Sequence, residues 1–381
     1  YKFKKNQWVN KPINITKNSK VDVVVELVGG SDGLAKKIVI SALNNKKHVI
    51  TANKALIAKH GNYLSLLAEK NKVNLEFEAS VAGGIPIIRG IKEGLVSNKI
   101  SKLIGILNGT SNYILTEMEH SGKKFSDVLK EAQNSGFAEK NPKNDLNGND
   151  VSSKIKILSS LCFKSLISNS KILTNGIENI EVKDINIVKK LGYRIKLLGI
   201  TEIINNNIFE RVHPSLVRIN SYIANVNGVF NATIINGKPV GQSVMQGEGA
   251  GPGPTTSSLI SDLYSIIRGN IKNPFILPHS KRKKIKIYNY NNYIYACYFR
   301  FEVKDKSGVL ASITNILAKN KISIETLIQD PNKKNKTASI IIITHKTTEK
   351  RVINCIASIN KNKNIIKKPT FIRVGNFNDD W

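Results

Sequence analysis

The chain has 381 residues, 41% of them apolar, enough for two or three cores and so for more than one domain. Its longest apolar runs, Val21–Val28 and Ile340–Ile343, are too short to span a bilayer, and no signal peptide is visible, so a membrane protein is not expected. The net charge of +30 invites a nucleic-acid role, but Lys, Asn and Ile are abundant together, as in AT-rich coding, while Arg is scarce and no helix-turn-helix or aromatic RNA-binding signature occurs.

The charge is therefore expected to attract anionic cofactors rather than to mark a nucleic-acid binder. From the N-terminal side, Val21–Val28 reads as a strand apolar enough to be covered on both faces, ended by Gly29-Gly30. A helix over Leu34–Asn44, a strand over Lys47–Thr51, a helix over Lys54–Glu69 and a strand over Val73–Ser80 follow. This alternation predicts a doubly wound α/β half-domain over residues 1–100. A dinucleotide fold opens with a strand, a Gly-rich turn and a helix, and none precedes Val21. One or two βαβ units, of roughly 30 residues or more each, are expected upstream, so the chain reads as a fragment.

Residues 101–268 change character. A strand over Ile100–Leu107 runs into Asn108-Gly109-Thr110 and a helix, and a second helix covers Phe125–Asn134. A loop over Gly136–Asn149 precedes a helix over Asp150–Cys162, and another helix covers Val182–Leu191. Strands over Arg194–Ile203, Ile208–Val217, Ala224–Ile235 and Pro239–Gln246 lead to the turn Gly247–Gly253 and a helix over Thr255–Arg268, an α+β substrate domain. Gly269–Asn292, polar and basic with Pro274 and Pro278, reads as a linker. Residues 293–381 then show a strand, Tyr293–Lys304, a helix, Gly308–Asn320, and strands Ser323–Gln329 and Ala338–Thr344. A helix, Glu349–Asn360, and a strand, Thr370–Gly375, complete the βαββαβ order of a ferredoxin-like fold. Cys162, Cys297 and Cys355 are far apart, without metal-ligand or disulfide spacing, and fit buried thiols in a reducing cytoplasm.

The densest chemistry lies between Gly136 and Lys154. Asp150 and Lys154 stand four apart on the predicted helix and share a face, beside a buried face of Val151, Ile155, Leu158 and Cys162. Partial burial would lower the Lys154 pKa while Asp150 holds the ammonium oriented, which is what protonating the oxygen of an aldehyde under hydride attack requires. An ordinary surface pair, worth roughly a few tenths of a kcal/mol, would explain the two residues alone. The preceding loop adds Glu139, Asp145 and two glycines, a layout suited to lining a site, where Glu139 could hold a substrate ammonium.

The stretch Gly136-Phe-Ala-Glu139-Lys-Asn-Pro142-Lys-Asn-Asp145-Leu-Asn147-Gly148-Asn-Asp150-Val-Ser-Ser-Lys154 resembles the signature of the homoserine dehydrogenase family. Further matching segments run almost end to end, from Glu26-Leu-Val-Gly-Gly30 through Thr51-Ala-Asn-Lys54, Glu78-Ala-Ser-Val81-Ala-Gly-Gly-Ile85-Pro86 and Asn108-Gly-Thr110 to Asn227-Gly-Val-Phe-Asn-Ala232 and Gly247-Glu-Gly-Ala-Gly251. The resemblance implies NAD(P)-dependent interconversion of aspartate 4-semialdehyde and homoserine, with Lys154 as acid/base supported by Asp150. It implies substrate contacts from Glu139, Asp145 and Lys54, and cofactor contacts from Val28, Gly29, Lys54, Gly136 and Gly249. Glu78, Val81, Gly83 and Ile85 match a loop whose backbone carbonyls bind Na+ or K+. Asp305-Lys-Ser-Gly308-Val-Leu-Ala resembles the ACT domain, which implies an amino-acid effector, threonine first, at Asp305, Gly308, Val309 and Leu310. A cytoplasmic homo-oligomer, dimer or tetramer, is expected. Departures are the absent phosphate-binding turn, Lys140, Asn141 and Asn144 at positions commonly acidic or proline, and Pro252 after the Gly-rich turn. The alternatives are an amino-acid-sensing ACT module on a decayed enzyme and an aspartate semialdehyde dehydrogenase, which would need an activated cysteine.

Overall fold

The computed structural model describes residues 8–269, 271–332 and 334–375. The first unit runs β1 (Val23–Glu26), α1 (Leu34–Asn44), β2 (His48–Thr51), α2 (Lys54–Asn71) and β3 (Leu75–Glu76), with strand order β1-β2-β3, all parallel. Ala35, Ile38, Val39, Ala42 and Leu43 recur at helical spacing in α1 and are buried, as the periodicity predicts.

Two strands are shorter than expected, for one reason. The Glu26 carboxylate accepts the backbone N–H groups of Val28 (2.7 Å) and Gly29 (3.0 Å), which bends the chain out of the strand. The expected cover on both faces is also not met: Val25, Leu27 and Val28 are 50%, 60% and 57% exposed. Likewise Glu78, in a turn over Glu78–Ser80, accepts the N–H groups of Ile88 and Arg89 (2.8 Å each), ending the third strand and capping the short helix α3 (Ile87–Arg89).

The second unit contains β4 (Lys99–Ile106), α4 (Gly109–Ser121), α5 (Phe125–Asn134), α6 (Lys143–Leu146) and α7 (Asn149–Cys162). It continues with β5 (Leu173–Thr174), α8 (Val182–Lys190), β6 (Tyr193–Ile204), β7 (Asn207–Arg218), β8 (Phe230–Lys238), β9 (Gly241–Glu248) and α9 (Pro252–Ile267). Its main strands pair antiparallel in the order β7-β6-β4-β8-β9. The expected strand over Ala224–Ile235 starts later. The Asn112 side chain donates to the carbonyls of Val226 (3.1 Å) and Gly228 (2.9 Å), and Lys196 Nζ to that of Val226 (2.6 Å), which holds this stretch as a loop. Helix α7 lies on the sheet where β6 has Gly199. A Cβ there would come within 2.6 Å of Ile155 and 2.7 Å of Val151, so only glycine lets the helix settle this close.

The third unit is β10 (Ile294–Lys304), α10 (Val309–Lys319), β11 (Ile324–Asn332), β12 (Thr337–Thr344), β13 (Thr347–Thr348), α11 (Glu349–Ile359) and β14 (Thr370–Val374). The order β11-β12-β10-β14 is the ferredoxin-like arrangement expected, over a core that includes Phe299, Phe301, Ile313, Leu317, Ile342 and Val352. Parallel pairs Arg373↔Ser215 and Val374↔Leu216 join this sheet to β7. The connecting segment is not a free linker. Phe275 is fully buried against Phe77 (ring centroids 5.2 Å apart), Arg282 stacks over Phe275 and donates to Ser65 Oγ (2.6 Å), and the Lys286 carbonyl accepts from Ile208 N (2.9 Å).

A buried bidentate pair ties the third unit to the second. Arg300 meets Asp184 through Nε (2.6 Å) and Nη2 (3.0 Å), and the Tyr298 hydroxyl donates to the same carboxylate (2.9 Å). Asp184 is wholly buried. Removing one partner of such a pair strands a charge in low dielectric, so Arg300→Met is expected to destabilise the protein by about 3–5 kcal/mol in urea unfolding. A loss below about 1 kcal/mol would show that this pair does not fasten the unit. Among the described residues no helix is long and apolar enough to cross a membrane.

Candidate active site

The site forms where β4 ends and α7 begins. The last strand turn leaves the Leu107 carbonyl free of the ladder, and Asn108 caps α4 by accepting Ser111 N (2.8 Å). Lys154 lies on α7 opposite this end. Its Nζ reaches Asp150 Oδ2 at 2.7 Å and donates to the Leu107 carbonyl at 2.6 Å. Lys154 is 8% exposed, deeper than the helix-edge position expected, and does not face open solvent. Asp150 Oδ1 meets Lys54 Nζ, at the first residue of α2, at 2.8 Å. Asp150, 7% exposed, thus bridges two ammonium groups that come from different units of the fold.

The electrostatics separate the two lysines. Burial pushes the Lys154 ammonium below its ordinary value, aided by neighbouring Lys54 and opposed by Asp150. Burial also works against the charge of Lys54, but Asp150, with Asp145 and Glu139 beyond it, outweighs that and raises it. For Asp150, burial is overcome by Lys154, Lys54 and Asn108, which hold its carboxyl far below the usual carboxylate range. Asp145 is raised, chiefly by burial. The result is one lysine half open to the cleft whose charge is reinforced, one buried lysine held below its ordinary value, and an aspartate fixed between them.

Asn108 was not singled out by sequence reasoning as a site residue. Its Nδ2 donates to both Asp145 Oδ1 (2.7 Å) and Asp150 Oδ2 (2.9 Å), so one amide holds two carboxylates side by side. Its place at the head of α4 identifies it as a helix cap, which conceals this second task. Glu139 stands exposed on the loop after α5, and its charge is felt at Lys54. Gly136 opens that loop with a positive φ of 77° and is exposed.

The opposite wall comes from the carboxyl ends of β1 and β2, where open parallel sheets bind ligands. Glu26, 1% exposed, accepts from Thr51 Oγ1 (2.7 Å) as well as from the amides of Val28 and Gly29, and Asn53 Nδ2 donates to the Gly30 carbonyl (2.7 Å). This network shapes an open turn. Gly29 and Gly30 have φ near 80°, and nothing lies within 4 Å of where a Cβ would stand. Such a surface admits a planar or anionic ligand close to the backbone, next to Lys54.

The turn over Glu78–Ile85 packs directly on the Gly-rich turn. A Cβ on Gly83 would lie 2.5 Å from the Gly249 carbonyl, the Gly83 carbonyl accepts from Ser258 Oγ (2.6 Å), and Gly84 N donates to the Glu248 carbonyl (3.1 Å). Gly249 itself abuts Asn231 so closely that a Cβ would overlap its amide. In the third unit, Gly308 (φ 83°) caps α10 with open space beside it, Val309 is buried, and the Asp305 N–H donates to the Lys336 carbonyl (3.0 Å). Cys162 is buried on α7 with its thiol pushed up by burial, so it is not the activated thiolate that a semialdehyde-acylating enzyme would need.

Comparison with known proteins gives a consistent result. Residues 86–264 match the family model described as homoserine dehydrogenase, residues 5–78 the model of the homoserine dehydrogenase NAD-binding domain, and residues 298–360 that of the ACT domain. The chain is 42% identical over 378 residues to the homoserine dehydrogenase of Neisseria gonorrhoeae, covering 98% of this chain and 87% of that one. It is 41% identical over 368 residues to that of Pseudomonas aeruginosa, covering 95% and 85%. Among solved structures, a homoserine dehydrogenase from Thiobacillus denitrificans superposes with a TM-score of 0.89 at 40% identity, covering 96% of this chain and 85% of that one. A hyperthermophilic archaeal homoserine dehydrogenase in complex with NADPH superposes with a TM-score of 0.57 at 25% identity, covering 71% and 78%.

Proposed function

The chain belongs to the homoserine dehydrogenase family, and from that premise we propose that Lys154 is the proton donor and acceptor of its reaction. The protein is an oxidoreductase that interconverts aspartate 4-semialdehyde and homoserine with a nicotinamide cofactor. The observation that carries the assignment is a buried ammonium 2.7 Å from a buried aspartate, beside the open turn at the carboxyl ends of β1 and β2.

The open backbone at Gly29 and Gly30 and the cation at Lys54 suit a dinucleotide, with Val28, Gly29, Lys54, Gly136 and Gly249 as its proposed contacts. When bound, the nicotinamide supplies or takes the hydride. In reduction, Lys154 hands its proton to the aldehyde oxygen as negative charge develops there, and Asp150 keeps the ammonium aimed. Lys54, firmly charged, stays in the cleft as a fixed positive group for substrate and cofactor. Glu139 and Asp145 take the substrate ammonium. In the oxidative direction, neutral Lys154 accepts the hydroxyl proton.

The sign of the pH dependence follows. Reduction needs protonated Lys154, so its kcat/KM is expected to fall as pH rises through a midpoint below the ordinary lysine value of 10.5. Oxidation needs the neutral amine and rises through the same range. Measurement of both directions on one preparation checks this. Two profiles that fall together with rising pH would contradict it.

The turn over Glu78, Val81, Gly83 and Ile85 is proposed to hold a monovalent cation through backbone carbonyls. Those of Glu78, Gly83 and Ile85 each accept one hydrogen bond, and a carbonyl oxygen has a second lone pair for an ion. Its part would be structural, tying this turn to the Gly-rich one. For Asp305, Gly308, Val309 and Leu310 we propose an amino-acid effector site, with threonine as the ligand. The outer strand β11 exposes Leu327 (38%) and Ile328 (37%), which supports assembly of ACT units as dimer or tetramer.

A further inference from the structure

Beyond Lys154, toward the C-terminal end of α7, a cavity of about 690 Å³ opens between that helix, β7 and the connecting segment. Ser159, Ser168, Asn169, Glu210, Lys284 and Lys286 are among the residues that line it. Hydrogen bonds hold its walls in place. Leu166 N donates to the Lys283 carbonyl (3.1 Å) and Ile208 N to that of Lys286 (2.9 Å), while the Asn62 side chain brackets Ile167 through Nδ2 and Oδ1 (3.0 Å each). The space is therefore part of the folded frame.

Glu210 forms the acidic end of this cavity. On β7 it stands across from Thr201 of β6, whose hydroxyl donates to Ser159 Oγ (3.0 Å), so this face of the sheet looks at α7. Glu210 is 6% exposed, yet no Lys or Arg among the described residues forms an ion pair with it. Ser159 supplies a hydrogen bond, and Lys156 acts only through space. Burial, opposed by these two, pushes the carboxyl up to about 7. The buried carboxylates of Asp150, Asp184 and Glu349 differ, each with a cation at 2.6–2.7 Å. A buried carboxyl without a counter-ion is costly, and here a cation has room to enter.

We propose that this cavity binds one free α-amino acid, its ammonium on Glu210 and its carboxylate within reach of Lys284 and Lys286. Both lysines are exposed, and neither forms an ion pair among the described residues. A simple amine would meet the carboxyl but also the repulsion of Lys156, Lys284 and Lys286, whereas a zwitterion answers both signs. Ile208, Ile285 and Ile287 offer apolar wall to the ligand's side chain. The site is separate from the catalytic cleft and from the turn at Gly308, and its occupant would join α7 and β7 to the segment that leads into the ACT domain.

Calorimetric titration of the full chain with each of the common L-amino acids, on both sides of neutral pH, tests this. At least one is expected to bind about tenfold more tightly one pH unit above 7 than one unit below, as Glu210 becomes ionised. Its N-acetyl derivative, which lacks the ammonium, should not show that component. Glu210→Gln keeps the shape and the Ser159 hydrogen bond, and is expected to weaken the site at least about tenfold and to remove its pH dependence. If no amino acid shows a component that tightens through neutral pH, the cavity holds only water and the proposal is overturned. It is overturned equally if that component persists in Glu210→Gln, since the ligand then sits elsewhere.

Discussion

Lys154→Met is expected to reduce aspartate 4-semialdehyde at least about 100-fold more slowly than the parent enzyme, the usual scale for loss of an acid–base group. Methionine keeps most of the buried volume and removes the charge, so the packing of α7 against Gly199 is undisturbed. Asp150 retains Lys54 as a partner at 2.8 Å and is not left as an unpaired buried charge. The loss should fall on kcat with little change in KM, because Lys54, Glu139 and Asp145 remain to hold the substrate. Circular dichroism and unfolding curves close to the parent's would assign the loss to chemistry. Near-parental turnover in a folded variant would remove Lys154 from the mechanism.

Asp150→Asn should be nearly as damaging, by about 100-fold, for a different reason. The carboxylate sits between two ammonium groups at 2.8 and 2.7 Å. Without its charge, Lys154 keeps its desolvation and the repulsion of Lys54 but loses the main interaction that opposes them. The Lys154 pKa should therefore drop further, and the alkaline limb of the reduction should move to lower pH as well as to lower rate. A variant with reduced rate and an unmoved limb would mean that Asp150 acts only through packing.

The ion pair of Asp150 and Lys154 was legible because it is local: residues four apart on one helix share a face, and the apolar pattern of Val151, Ile155, Leu158 and Cys162 orients the adjoining face inward. The ACT plan was legible for a similar reason, its strands and helices following one another at regular intervals with clear periods. What escaped reading is long-range. Lys54 reaches Asp150 from another unit, and no spacing announces such a contact. Asn108 has the sequence marks of a cap, and only the folded chain brings Asp145 and Asp150 to its amide. Glu26 lies inside an apolar run that reads as one strand to Val28, but it is the last strand residue, because its carboxylate takes the next two free backbone amides. The segment around Phe275 and Arg282 has linker composition, but one aromatic ring and one guanidinium suffice to fix it.

The most direct test of Lys154 as proton donor is the pH profile of kcat/KM for semialdehyde reduction in the parent enzyme and in Lys154→Met, measured side by side. The alkaline limb should be present in the parent and absent from the variant, whose small residual rate should stay flat over the same range. If the variant keeps the parent's limb at the parent's pH, the proton comes from another group and the assignment fails.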